Sequence, residues 1–261
     1  MSPESDSDST NDNDEYIVPA LPSDLKHIRL KFKKRPVDES IKRSEEFYRL
    51  MDGRRTVRHF SKEPIPKEII YNIIKTAGTS PSGAHTEPWT FVAVSSLEMK
   101  QQIRQIIEDE EELNYKKRMG KIWTTDLKPL KTDWVKEYLT DAPYLILVFK
   151  QTYGVRDDGK KKLHYYNEQS VSIAWNPFGG NSRLPPLRAL ETIFGSPALR
   201  KYAGLVSLTS TPLNCGPALK KLIGRPASEK LTLLLPVGYP SEDCSVPDLH
   251  RKPLDDILIE I

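Results

Sequence analysis

The chain has 261 residues, and its 39 Lys and Arg against 36 Asp and Glu leave a formal net charge of +3. That length suits one well-buried domain or half of an intimate dimer, and so balanced a charge gives no argument for a nucleic-acid partner. Cys215 and Cys244 lack metal-ligand spacing, which speaks against a disulfide framework or a zinc site. No apolar run approaches the ~18 residues that cross a bilayer, and the acidic start lacks a charged-then-apolar signal pattern, so a soluble, cytoplasmic chain is expected.

Residues 1 to 15 offer almost nothing to bury and are expected to be disordered; residues 16 to 37 add proline and scattered basic groups and read as an extended arm, on a partner subunit. The folded domain is expected over 38 to 261. A helix capped by Asp38 carries Ile41, Phe47, Tyr48, Leu50 and Met51 and ends at Gly53. Pro66 opens a second helix, with Ile69, Ile70, Ile73 and Ile74 as a core stripe closed at Gly78. A short strand, Thr90 to Val94, leads into a long helix from Ser96. The far end of that helix, Glu108 to Glu112, reads as a solvated like-charge face. Less regular sequence around Trp123 and Trp134 ends in a short helix, and Tyr144 to Phe149 is continuous and apolar, as a central strand requires. Tyr165 to Ala174 begins a further helix. Strands are expected at Leu205 to Thr209 and Leu231 to Val237, with a helix from Pro217 to Ile223 between them, and Ile257 to Ile261 as a terminal strand.

Two polar stretches carry candidate chemistry. Arg54, Arg55 and Arg58 sit within five positions, a plausible phosphate clamp to which Arg251 contributes; equally, Arg54 and Arg55 could complement the C-terminus of the preceding helix. The turn from Thr79 to Trp89 places Ser80, Ser82, Gly83 and Ala84 between Pro81 and Pro88, so backbone N–H groups can approach an anion or a flat ring. Thr209, Ser210 and Thr211 read as strand-end hydroxyls. Glu111 and Tyr115, four apart, share a helix face, and Lys136 lies on the next short helix. Together they hold an acceptor and donors suited to an amino-acid zwitterion, although taken singly they read as surface charge. His85 has no second histidine in range, so a positional role in the turn fits it better than a metal or general-base role.

Arg54-Arg55-Thr56-Val57-Arg58 with Pro81-Ser82 and Pro88-Trp89 resembles the flavin-binding pattern of the nitroreductase-like family. Gly83 to Trp89, Asn114 to Met119 and Thr211 to Pro217 narrow the likeness to the iodotyrosine deiodinases, over roughly 40 to 174 and 204 to 261. The resemblance implies an α+β nitroreductase-like fold, a central mixed sheet flanked by helices, in a domain-swapped homodimer whose terminal strand pairs with the partner's sheet. It implies FMN held by Arg54, Arg55, Thr56, Val57, Arg58, Ser82, Gly83, Thr209, Ser210, Thr211 and Arg251. Thr211 would bond the flavin N5 and favour one-electron steps, and the Ala84 N–H would meet the substrate phenolate; these two are the catalytic candidates. Glu111, Tyr115 and Lys136, with Ala84, would bind a halotyrosine under a lid hinged near Gly120. Electrons would come from NADPH through a separate reductase, with no metal and no nucleic acid. Vertebrate relatives carry an N-terminal membrane anchor, so this chain would be a soluble form or one with an incomplete start.

The likeness lapses between residues 175 and 202. Four prolines and three glycines stand there where the family has an apolar helix, which looks like retained non-coding sequence, an alternative exon or an insertion, and predicts weak packing. Two other readings follow: a general nitro or quinone reductase if the lid does not work, or a non-catalytic product if the core helix is lost.

Overall fold

The structure, a computed structural model, describes residues 19–156, 159–175 and 203–261. The expectations of disorder at the N-terminus and of weak packing across 176–202 lie outside the described residues. An extended arm leads to helix α1 (Val37–Asp52), followed by α2 (Lys67–Ala77), strand β1 (Trp89–Val94) and α3 (Leu97–Leu113). A π turn (Asn114–Arg118) and α4 (Gly120–Leu127) then precede α5 (Tyr138–Asp141) and β2 (Tyr144–Gln151). The hairpin β3 (Gly154–Val155) and β4 (Lys161–Lys162), α6 (Asn167–Trp175), β5 (Val206–Ser207), α7 (Gly216–Leu222) and β6 (Glu229–Gly238) follow among the described residues, with a 3-10 turn (Leu254–Asp256) near the end.

The sheet runs β1-β2-β6-β5, and every pairing is antiparallel, so the mixed sheet expected from the resemblance is not what these described strands form. Strand β2 lies at the centre with both faces covered, which explains its unbroken apolar run. Side chains alternate across a strand, so Leu145, Leu147 and Phe149 join Val94, Ile103, Ile107, Leu139, Leu219 and Leu234 on one face. Ile146 and Val148 meet Ile70, Ile73, Val171, Leu235 and Val237 on the other. The result is a sheet between α3, α5 and α7 on one side and α2 and α6 on the other. Each fully buried Leu, Ile or Phe contributes about 1.5–3 kcal/mol.

Several local expectations change. Pro36 occupies the cap of α1 and makes no side-chain capping bond, leaving Asp38 to favour the helix only through its charge in the first turn. Ser96 does cap α3, its Oγ accepting from Met99 N–H at 3.3 Å. The strand expected at 205–209 shortens to Val206–Ser207 plus a single bridge from Ser210 to Leu234. The segment at Gly120 is the start of α4 rather than a loose hinge, and Gly120 adopts φ +67, open to glycine without strain. Residues 257–261 form no strand in this chain; Ile259 is 87% exposed. Among the described residues no helix is long and apolar enough to cross a membrane.

Candidate active site

The arginine segment is positioned by the sheet edge. After α1 the Gly53 N–H closes onto Arg49 O at 3.2 Å and the chain extends. Val57 N–H donates to Ser207 O at 3.3 Å, Ser61 N–H to Tyr239 O at 2.9 Å, and Ser241 N–H to His59 O at 3.1 Å. Val57 and Phe60 are buried in the core. Thr56 and Arg58, on either side of Val57, are half-buried, while Val57, its side chain packed and its N–H bonded to Ser207, has only its carbonyl left to meet a ligand. Arg55 Nη1 donates to Asp52 O at 2.5 Å, so the helix-end reading holds for this side chain in part. Arg251, far along the chain, reaches Arg54 O through Nη2 at 3.2 Å. Among the described residues none of Arg54, Arg55, Arg58 and Arg251 forms a salt bridge with a carboxylate. Burial, then the cations of Arg251 and Arg55, hold the Arg54 guanidinium below its ordinary value. A cavity of ≈ 220 Å³ opens beside this segment, lined by Thr56, Arg58, His59, Lys131 and Ser245 among others.

The Ser82–Glu87 turn is strained and heavily bonded. Ala84 (φ 48), His85 (φ 52) and Glu87 (φ 46) are left-handed without being glycine, each at a cost of about 1–3 kcal/mol. Ser82 Oγ accepts from Glu87 N–H at 2.9 Å, and Thr86 donates to Gly83 O through both N–H and hydroxyl. Gly83 N–H donates to Ser170 Oγ at 3.4 Å, tying the turn to α6. A Cβ at Gly83 would lie 2.7 Å from Tyr165 O, so close packing alone already requires glycine here. With the His85 N–H, which donates to Ser82 O at 3.0 Å, these bonds employ the N–H groups of Gly83, His85, Thr86 and Glu87 and leave that of Ala84, on the exposed crest, outside the set. His85 is exposed there as well.

Thr209 and Thr211 are exposed on one side of the segment, because Ser210 between them exchanges backbone hydrogen bonds with Leu234, both at 2.9 Å. Cys215 beyond them is a packed thiol, pushed up to about 12 by burial and the neighbouring Glu111 and Glu110, so it is protonated at neutral pH.

The third group is assembled from two segments. Glu111 lies in the last turn of α3, Tyr115 falls in the π turn, and Lys136 stands in the irregular chain just before α5 rather than on the short helix expected. Lys136 Nζ lies 3.9 Å from Glu111 Oε2, with side chains only 8% and 13% exposed, and 5.4 Å from the Tyr115 ring centre. Lys136 Nζ also donates to Asp133 O. Glu108 Oε1 accepts from Lys136 N–H at 2.6 Å across 28 positions of sequence, while Arg104 holds the same oxygen at 2.7 Å. The acidic run is thus not a uniformly solvated face: Asp109 is exposed, but Glu108 and Glu111 turn inward to named partners. Burial pushes the Lys136 ammonium below its ordinary value, against the opposing pull of Glu111 and Asp133. Burial and Glu111 push the Tyr115 phenol up. Arg58 acts electrostatically on Tyr115, Lys136 and Tyr138, so the arginine segment and the Glu111 group share one field.

No hydrogen bond, ion pair or ring contact among the described residues joins Ser82–Ala84 to either group. Residues the sequence reading passed over are Glu108, Asp133, Tyr138, Asn114 and Asn214. Glu108 was hidden in the acidic run; the two asparagines stood in motifs without a role.

Comparison with known proteins gives a Nitroreductase family model matching residues 51–176. Iodotyrosine deiodinase of Daphnia pulex is 58% identical over 236 residues, covering 90% of this chain and 73% of that protein. Iodotyrosine deiodinase 1 of Homo sapiens is 55% identical over 237 residues, covering 91% and 76%. A crystal structure of oxidized iodotyrosine deiodinase bound to FMN and 3-iodo-L-tyrosine superposes with a TM-score of 0.64 at 28% identity, covering 82% of this chain and 97% of that one. Similarity of this degree over most of both chains means that the chain belongs to the iodotyrosine deiodinase family, within the nitroreductases.

Proposed function

We propose that the chain is an FMN-dependent oxidoreductase that converts mono- and diiodotyrosine to tyrosine and iodide. The observation that carries this is the buried, open pair of Glu111 and Lys136 beside Tyr115, in the field of an arginine cluster that has no carboxylate partner among the described residues. An amino-acid zwitterion presents an ammonium to Glu111 and a carboxylate to Lys136 and the Tyr115 hydroxyl, a set of contacts that a simple nitroaromatic cannot use.

A flavin phosphate fits the arginine segment on the evidence of its charge: Arg54 is disfavoured as a cation first by burial and then by its neighbours Arg251 and Arg55, and an anion among them would relieve that repulsion. Arg54, Arg55, Arg58 and Arg251 would hold the phosphate, with Thr56, Ser82 and Gly83 adding hydrogen bonds and Val57 its backbone alone. Thr209, Ser210 and Thr211 would line the ring, Thr211 at N5. When bound, FMN supplies the electron pair with which the aryl carbon–iodine bond is replaced by carbon–hydrogen, one proton being taken up and iodide released. The Ala84 N–H would steady the phenolate oxygen, and Lys136, Tyr115 and Glu111 would orient the ring and keep water from it.

NADPH would be the ultimate electron source, through a separate reductase. The working unit is a homodimer on this reading. Apolar side chains stay exposed on the arm (Ile28, Phe32), on α1 (Ile41, Tyr48) and on the tail (Ile257, Ile259), which supports their burial against a second copy.

The test is purification of the chain, its visible absorption for bound flavin, and iodide release from 3-iodotyrosine and from iodophenol under chemical reduction. Flavin and a strong preference for iodotyrosine are expected. Flavin with equal turnover of both compounds, or with turnover of nitroaromatics alone, would replace this function by general reduction; purified chain that takes up no flavin would make it non-catalytic.

A further inference from the structure

Asn114 opens the π turn with a side chain among the most buried polar groups of the molecule, 2% exposed. Its Nδ2 donates to Glu111 Oε1 at 3.3 Å. Its Oδ1 accepts from Arg118 Nη1 at 3.2 Å and from Asn214 Nδ2 at 3.4 Å. This orientation of the amide matches every neighbour; turned over, it would set donors against donors and an acceptor against a carboxylate. Its backbone carbonyl accepts from Met119 N–H at 2.9 Å, five residues on, closing the wide turn that carries Tyr115. Asn214 sits 100 positions away in the loop that follows Thr211, in the left-handed region (φ 63) that asparagine tolerates. One buried amide therefore ties the Thr209–Thr211 segment to the carboxylate of the substrate clamp.

The geometry of the clamp shows what this tie does. Glu111 and Lys136 are opposite charges in a nearly dry site, yet they stand at 3.9 Å, beyond the ~2.7–2.9 Å of a charge-assisted hydrogen bond. Each is held back by a neighbour: the ammonium by Asp133 O, the carboxylate by the Asn114 amide. A closed pair would spend both charges on each other, whereas an open one keeps both for a ligand carrying the complementary two. We propose that Asn114 is a positioning residue for substrate, holding Glu111 open toward the incoming ammonium and coupling that clamp through Asn214 to the ring-side segment. The inference rests on the halotyrosine reading above.

The test uses flavin-loaded protein and measures Kd for 3-iodotyrosine and for iodophenol by quenching of flavin fluorescence, in the parent and in Asn114→Ala, Asn114→Asp and Asn214→Ala. The preference for iodotyrosine should fall roughly tenfold in Asn114→Ala, as expected for loss of one hydrogen bond to a charged group, with iodophenol affinity and flavin content unchanged. Asn114→Asp keeps the shape and the acceptor for Arg118 and Asn214 but not the donor to Glu111, so it should lose the preference as well. Asn214→Ala, remote from the clamp and outside the core, should lose a smaller part of it. An undiminished preference in folded Asn114→Asp overturns the proposal, as does an equal weakening of both ligands, which marks a merely structural part. If neither Asn114 variant folds, Asn214→Ala decides, and an unchanged preference there overturns the coupling. A parent that fails to prefer iodotyrosine sinks the halotyrosine reading itself, and this inference with it.

Discussion

Replacing Lys136 by glutamine removes one charge from the clamp while preserving most of its reach. At the observed 3.9 Å the two charges attract by about 4 kcal/mol at an effective dielectric of ~20, most of which is offset by the cost of keeping both ions largely out of water. Stability is therefore a poor readout, and affinity a good one. The substrate carboxylate loses one charge-assisted contact, about 1.5–3 kcal/mol, or roughly ten- to a hundredfold in Kd. Titration of flavin-loaded Lys136→Gln with 3-iodotyrosine should show that loss, with iodophenol affinity, flavin content and nitroaromatic reduction close to the parent. The pH profile adds a second check. Burial lowers the Lys136 pKa from its ordinary 10.5, so parent affinity should fall as pH rises through that lowered value, a limb that Lys136→Gln lacks. The stability linkage has the opposite direction. Between the lowered and the ordinary value the unfolded chain binds more protons, so the destabilisation from burying this ammonium is full below the lowered value and is relieved as pH rises toward 10.5. Equal Kd for iodotyrosine in parent and variant, or a matching loss for iodophenol, would refute the clamp.

Two further outcomes follow from charge placement. Arg58→Ala and Arg55→Ala should each yield folded protein with FMN affinity reduced roughly ten- to a hundredfold, the larger effect at Arg58 because Arg55 also serves the α1 carbonyl of Asp52; unchanged flavin occupancy in both would return the cluster to helix capping. Arg225→Ala strips the bidentate partner from Glu229, which is 4% exposed and among the described residues otherwise holds the Thr90 hydroxyl, and should cost about 1–3 kcal/mol, less than for a wholly buried pair because the Arg225 side chain is 31% exposed, read as a fall in Tm. Burial alone would raise the Glu229 pKa, but the Arg225 and Thr90 bonds outweigh it and hold the carboxyl below its ordinary 4.5. Its stabilisation is thus full above pH 4.5 and lost as pH falls through the lowered value, so parent and variant should converge in Tm on acidification, and parallel curves would contradict this.

Much of the architecture was readable along the chain, because helices and buried strands announce themselves through near neighbours. Ile70 and Ile73 face the core at helical spacing, and the unbroken run from Tyr144 to Phe149 is what a strand covered on both faces requires. The arginine cluster, the glycine-bearing turn and the Glu111, Tyr115 and Lys136 set were likewise visible as residue types in short motifs. What tertiary structure alone decided depends on partners distant in sequence. Glu108 and Glu111 look like their solvated neighbour Asp109 until Lys136 arrives, 28 positions beyond Glu108, to receive them. Val57 stands among would-be ligand contacts but its side chain packs in the core, because its N–H pairs with Ser207, 150 positions on, and draws the segment against the sheet. Strand order and direction were equally out of reach, since β2 finds β1 on one edge and β6, far along the chain, on the other. The tail from Ile257 to Ile261 has strand composition without a strand, because an extended segment becomes one only when another edge takes up its backbone hydrogen bonds. Composition and spacing determine what a residue can do, and the partner that folding delivers to it decides which of those things it does.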